Sequence, residues 1–218
     1  MMNILCYGDS NTYGYDPADG MRYPPEVRWP CVLQRLLPQD RIVEEGCNGR
    51  TAAFTPEDEP WKDGRSYLPA CLNSHKPLDL VILMLGSNDL KRVFRASPED
   101  IAAGIHEILE TIALFLKEKQ GFAPRVLLIA PPVLREGIES SPASDGFDRD
   151  AIERSARLAP LFRREAEAFT GSGLLQCDFL DASDFIETSE LDSLHLMPEA
   201  HETLACVIAD RVREMQGN

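Results

Sequence analysis

Apolar runs punctuate the chain, and the strongest show no polar alternation. Asp79 to Gly86 (DLVILMLG) is the longest, and Arg125 to Ala130 (RVLLIA) repeats its character. An unbroken Leu/Val/Ile stretch of this length is expected of a strand covered on both faces, as in a parallel sheet. Asn3 to Gly8 (NILCYG) is a third such run, Arg41 to Gly46 (RIVEEG) a weaker fourth, and Leu174 to Cys177 the fifth. Between these runs the period lengthens to that of a helix. Over Pro98 to Lys119, residues Ile101, Ile105, Ile108, Ile112 and Leu116 share one face. Ser97 can cap that helix, Pro98 suits its first turn, and the acids Glu99 and Asp100 complement its dipole. A second helix, Pro198 to Met215, carries Leu204, Val207, Ile208, Val212 and Met215 on one stripe. Strands alternating with helices predict a three-layer α/β/α sandwich. The polar stretch Leu134 to Asp150, broken by Gly137, Pro142 and Gly146, is expected to be a plain solvated loop.

Length and charge narrow the picture. At 218 residues the chain suits one domain spanning 1–218. The 22 basic and 36 acidic residues leave a net charge of -14, which repels a phosphate backbone or an anionic bilayer, so neither nucleic acid nor membrane is an expected partner. No basic leader precedes an apolar run at the N-terminus, and no apolar stretch approaches the roughly 18 residues of a membrane span, so a cytoplasmic protein is expected. Six scattered cysteines without a C-x-x-C pair read as reduced core residues.

The chemistry-bearing residues cluster where predicted strands end. Gly8-Asp9-Ser10 follows the first strand, Gly46-Cys47-Asn48-Gly49-Arg50 the second, and Gly86-Ser87-Asn88-Asp89 the third. Ligands of open parallel sheets bind beyond the carboxyl ends of the strands. With strand order 2-1-3-4-5, those three ends are neighbours. The Ser10 amide, the Gly49 amide and Asn88 Nδ2 would then surround one point, as a tetrahedral oxyanion requires. Asp192-Ser193-Leu194-His195 precedes the final helix and sets a carboxylate three residues from an imidazole. His195 Nε2 could take the Ser10 proton while Asp192 holds Nδ1–H.

These four segments, in this order and spread over nearly the whole chain, resemble the blocks of the SGNH (GDSL-type) serine hydrolase family. The resemblance implies a flavodoxin-like five-stranded parallel sheet. It implies Ser10 as nucleophile, Asp192 and His195 as the rest of a triad, and Ser10, Gly49 and Asn88 as the oxyanion hole. Gly8 through Tyr15, Val27-Arg28-Trp29, Glu44 through Thr51 and Ser66 through Leu72 are similar to the arylesterase and acyltransferase branch. That branch acts on small acyl esters and often forms homo-oligomers. Tyr13 and Tyr15 stand where its acyltransferase members are expected to carry tryptophan, so hydrolysis is expected ahead of acyl transfer.

Of the neighbouring aromatic and sulfur side chains, Tyr15 and Met197 are expected to line the substrate pocket. Asp9 and Asp89 are read as structural, Asp89 in support of Asn88. His201 is read as packing near the final helix start. The spacing of histidines, cysteines and acids matches no zinc or di-metal pattern, so no metal and no cofactor are expected. Two rivals accompany the small-ester esterase: a carbohydrate acetylesterase, and a noncatalytic anion-binding module on the same fold.

Overall fold

The computed structural model describes residues 1–142 and 146–217. Five strands form one parallel sheet: β1 (Asn3–Gly8), β2 (Arg41–Gly46), β3 (Leu80–Met84), β4 (Arg125–Ala130) and β5 (Cys177–Asp181), in the order β2-β1-β3-β4-β5. The order, parallel pairing and flanking helices are those anticipated. The side-chain alternation of a strand explains the layers. Leu5 and Tyr7 of β1 join Val81, Leu83, Val126 and Leu128 on one face, and Ile4 and Cys6 join Leu80, Ile82, Leu127 and Ile129 on the other. The first face is covered by α3 (Gly64–His75), α4 (Pro98–Gln120), α5 (Asp150–Ala156) and α6 (Leu158–Ser172). The second is covered by α2 (Trp29–Leu36) and α7 (Pro198–Gly217). A short turn, α1 (Ser10–Tyr13), follows β1.

The long helix α4 begins as its sequence predicts. Ser97 Oγ accepts from the Asp100 amide at 3.1 Å while Asp100 accepts from the Ser97 amide at 2.9 Å, a reciprocal cap that satisfies two otherwise orphaned donors. The five apolar residues of its predicted stripe are fully buried.

Three expectations need correction. The fifth strand starts at Cys177 and not Leu174, because Leu174 and Leu175 pack against the core while the chain leaves α6, and pairing with β4 begins at Val126↔Cys177. Its acids Asp178 and Asp181 sit on a sheet edge, where polar residues are tolerated and hide the strand from an apolar search. The cysteines are all free, but only Cys6, Cys71 and Cys177 are buried, Cys31 and Cys47 are half-buried, and Cys206 is exposed on α7. Leu134 to Asp150 is not simply solvated. Leu134, Ile138 and Phe147 are buried in the core, and Arg135 N donates to Ser193 O at 3.2 Å. Residues 143–145 of that stretch lie outside the described residues.

Candidate active site

Gly8 at the end of β1 is level with Gly46 of β2 and Met84 of β3, so three strand ends open on one crevice. Gly46 is required there: a Cβ would stand 2.1 Å from the Tyr13 amide nitrogen. Beyond Gly8 the chain bends into α1, whose first residue is Ser10. Asp9 caps the turn, its Oδ1 accepting from Asn11 N at 3.0 Å and its carbonyl from Thr12 N and Tyr13 N at 3.1 and 2.9 Å. The Ser10 amide is the N–H of this first turn that the cap does not engage.

The partner of Ser10 comes from a second tight turn. Ser193 takes a φ of 63°, a left-handed conformation uncommon for a residue with a Cβ, and is held by Ser193 N donating to Ser189 O at 2.8 Å and Ser193 Oγ donating to Glu136 O at 3.1 Å. The chain thereby doubles back, and Asp192 Oδ1 accepts from Leu194 N at 3.1 Å and His195 N at 2.9 Å. Asp192 Oδ2 lies 2.5 Å from His195 Nδ1, and His195 Nε2 lies 2.9 Å from Ser10 Oγ. With Nδ1–H donating to the carboxylate, Nε2 is the acceptor left for the serine hydroxyl. All three side chains are buried. Burial pushes the Asp192 carboxyl up, but the hydrogen bond and charge of His195, with the two turn amides, outweigh it and hold the group below its ordinary range. The Tyr15 ring lies against the imidazole, centroids 4.2 Å apart.

Asn11 fixes this meeting and was not singled out by sequence. Its Nδ2 donates to Leu194 O at 3.3 Å and its Oδ1 accepts from Leu196 N at 3.1 Å, so it grips the backbone on both sides of His195.

The expected oxyanion donors are tied together by Arg50, also missed. Its Nη1 donates to Gly8 O at 3.0 Å and to Glu45 O, and its guanidinium lies 4.2 Å above the Tyr7 ring. The Arg50 carbonyl accepts from Asn88 Nδ2 at 3.1 Å, with Asp9 Oδ2 3.5 Å from the same nitrogen. Asp89 does not brace Asn88 as expected. Its carboxylate accepts from Ala52 N at 2.8 Å and Ala53 N at 2.7 Å, satisfying buried amides that no strand pairs and anchoring the loop that carries Gly49. Burial pushes Asp89 up to about 7 against the pull of those amides, and pushes Asp9 up to about 6. Gly49, with φ +80°, faces a cavity of about 450 Å³ that Lys62, Glu57 and Phe94 also line. Met197 lines a different cleft, of about 420 Å³, with Thr188, Leu191 and Ala200, and its sulfur accepts from Ser189 Oγ at 3.4 Å.

His201 packs as expected. It is fully buried, its Nδ1 3.4 Å from Trp29 N, its ring edge-on to Tyr23 at 5.4 Å. Burial, followed by the charges of His195 and Arg28, pushes its pKa down to about 4.

A buried serine, imidazole and carboxylate in series, beside a strand-end amide and an asparagine, is an arrangement for acyl transfer. The family model of the GDSL-like lipase/acylhydrolase family matches residues 6–203, which include all of these groups. The chain belongs to that family. This GDSL-like hydrolase is similar over its whole length to solved esterases. The carbohydrate acetylesterase Est24 from Sinorhizobium meliloti is 34% identical, with 99% of this chain and 100% of that chain covered at a TM-score of 0.90. The native aryl esterase of M. smegmatis is also 34% identical, with 98% and 99% covered at 0.88. The lipase/acylhydrolase from Enterococcus faecalis, 20% identical with 99% and 97% covered at 0.66, shares the fold. No curated relative matches the chain. The hydrolase is thus a carboxylic ester hydrolase of the SGNH type, and the binding-module alternative falls away. Among the described residues no helix is long and apolar enough to cross a membrane.

Proposed function

We propose that the protein hydrolyses small carboxylic esters, acetyl esters first, through an acyl-enzyme on Ser10. The observation that carries this reading is the continuous contact from Ser10 Oγ through His195 to Asp192, at 2.9 and 2.5 Å. Ser10 Oγ attacks the ester carbonyl carbon while its proton passes to His195 Nε2, and Asp192 stabilises the imidazolium that forms. The Ser10 and Gly49 amides and Asn88 Nδ2 receive the oxyanion. Asn88 Nδ2 carries two N–H donors; it bonds Arg50 O at 3.1 Å and approaches Asp9 Oδ2 at 3.5 Å, and the oxyanion takes the place of the longer contact. Collapse expels the alcohol, protonated by His195, and water then repeats the sequence to release the acid. Tyr15 and Met197 are read as substrate contacts, Tyr15 on the strength of its packing against His195.

Hydrolysis of p-nitrophenyl acetate, butyrate and octanoate by wild type and Ser10→Ala tests the reading. Activity should fall with acyl length, and Ser10→Ala should lose a factor on the order of 10⁴ to 10⁶. Retained activity in Ser10→Ala, or a preference for octanoate, overturns it. Likeness to Est24 favours acetylated sugars as a second substrate class, and acyl transfer to an alcohol would use the same intermediate. The homo-oligomer expected from the arylesterase branch is retained as part of this proposal.

A further inference from the structure

A second group of reactive side chains gathers on the other side of β2. Cys71 and His75 are one helical turn apart on α3, a spacing that puts both on one face, and Glu45 meets them from the edge strand. His75 Nε2 lies 2.8 Å from Glu45 Oε1, and one ligand atom from each of the three residues falls within 4.8 Å of the others. The donors differ in kind: one thiol, one imidazole, one carboxylate.

We infer that Glu45, Cys71 and His75 form a binding site for a single divalent transition-metal ion of the zinc or cobalt class, with solvent in the fourth position. A thiolate with an imidazole suits a borderline-soft ion and disfavours magnesium or calcium, which take oxygen. Bond lengths of about 2.0 to 2.3 Å put the ligand atoms of a tetrahedral site roughly 3.3 to 3.7 Å apart. The existing set reaches that spacing by small movements of the Glu45 and His75 side chains, which are the outer wall. These two keep 19% and 23% exposure and give an ion its entry, while Cys71 is the buried floor at 1%. Tyr67 Oη donates to the second carboxylate oxygen, Glu45 Oε2, at 3.4 Å and steadies the ligand, as outer groups do in metal sites. Binding exchanges the Cys71 S–H bond for an S–metal bond and releases one proton to water, so neither oxidant nor reductant is needed. Arg50, 5.3 Å above the Tyr67 ring, puts a positive charge nearby and makes the site weaker than a four-ligand structural zinc site. Cys71 and His75 belong to neither the triad nor the oxyanion donors, so this inference stands apart from the proposed esterase mechanism.

The test is titration of the full-length protein with cobalt(II) alone, followed by absorption. One equivalent should bind with a thiolate-to-cobalt charge-transfer band in the near ultraviolet. Cys71→Ser should abolish the band, and His75→Gln should weaken binding at least tenfold, with thermal unfolding used to check that each variant is folded. Ser10→Ala should titrate like wild type, because the triad offers no thiolate. Should Cys71→Ser fail to fold, His75→Gln decides, since His75 is partly exposed and its loss leaves the core intact. Absence of the band in wild type overturns the inference, as does a band that persists in Cys71→Ser or cobalt affinity unchanged in His75→Gln.

Discussion

The floor of the active site and its rim are built on opposite principles. On the floor, side chains bond to backbone from distant parts of the chain: Asn11 to Leu194 and Leu196, Asp89 to Ala52 and Ala53, and Arg50 to Gly8. Nearly every group there is buried, so each bond is made in a medium where leaving it unmade costs on the order of 1 to 3 kcal/mol. The rim is local and wet. In the cavity that Gly49 faces, Lys62 pairs with Glu59 three residues away, and Val93 is 75% exposed. Reaction geometry is therefore fixed by long-range contacts that tolerate little change, whereas the surfaces a substrate meets first can vary at small cost.

The contrast can be broken first at Asn88. Asn88→Ala should lower kcat for p-nitrophenyl acetate by about 10² to 10³, the usual effect of one oxyanion donor, with KM little changed. A loss of less than tenfold would remove Asn88 from the floor's chemistry. Next is His201, buried against Trp29 and Tyr23. In the folded chain it stays neutral down to about pH 4, while the unfolded chain takes up a proton below about pH 6.5. The unfolded state binds the extra proton between those values, so stability from this group is complete above pH 6.5 and is lost as pH falls. Relative to His201→Asn, wild type should lose about 2 kcal/mol between pH 7.5 and 5 in urea unfolding. Parallel pH curves for the two proteins would contradict the assigned burial effect. The smallest change is expected at the rim. Val93→Ser should shift stability by less than about 0.5 kcal/mol and acetate turnover by no more than about twofold, while altering the ratio of octanoate to acetate hydrolysis. A kcat loss like that of Asn88→Ala would erase the distinction between floor and rim.

The same division explains what the sequence disclosed. The first four strands, the α4 cap and the strand-end positions of Ser10 and Asn88 follow from local pattern, because apolar runs and turn residues report their own surroundings, whereas the sheet order is what the resemblance to the SGNH family implies. Asn11 and Arg50 were missed although each adjoins a residue that was found. Their partners lie 183 and 42 positions away, and no period or spacing encodes a bond of that kind. For the same reason the sequence points Asp89 to its neighbour Asn88: adjacency is visible in it, while the amides of Ala52 and Ala53 are not. The acids of the edge strand β5 resemble loop and hide it, and in Leu134 to Asp150 polar residues outnumber the three that reach the core. Glu45, Cys71 and His75 showed only the four-residue interval between the last two, with the third ligand supplied by a neighbouring strand.

The contact between Ser10 and His195 spans 185 positions of sequence. Synthesis runs from the N-terminus at about 5 to 20 residues per second, so the serine emerges roughly 10 to 40 s before the imidazole it contacts. During that interval Ser10 is an ordinary alcohol. On the proposed mechanism, hydrolytic competence arrives late, when the Asp192–His195 turn meets Ser10, and a ribosome-bound chain stalled before that turn presents an inert serine.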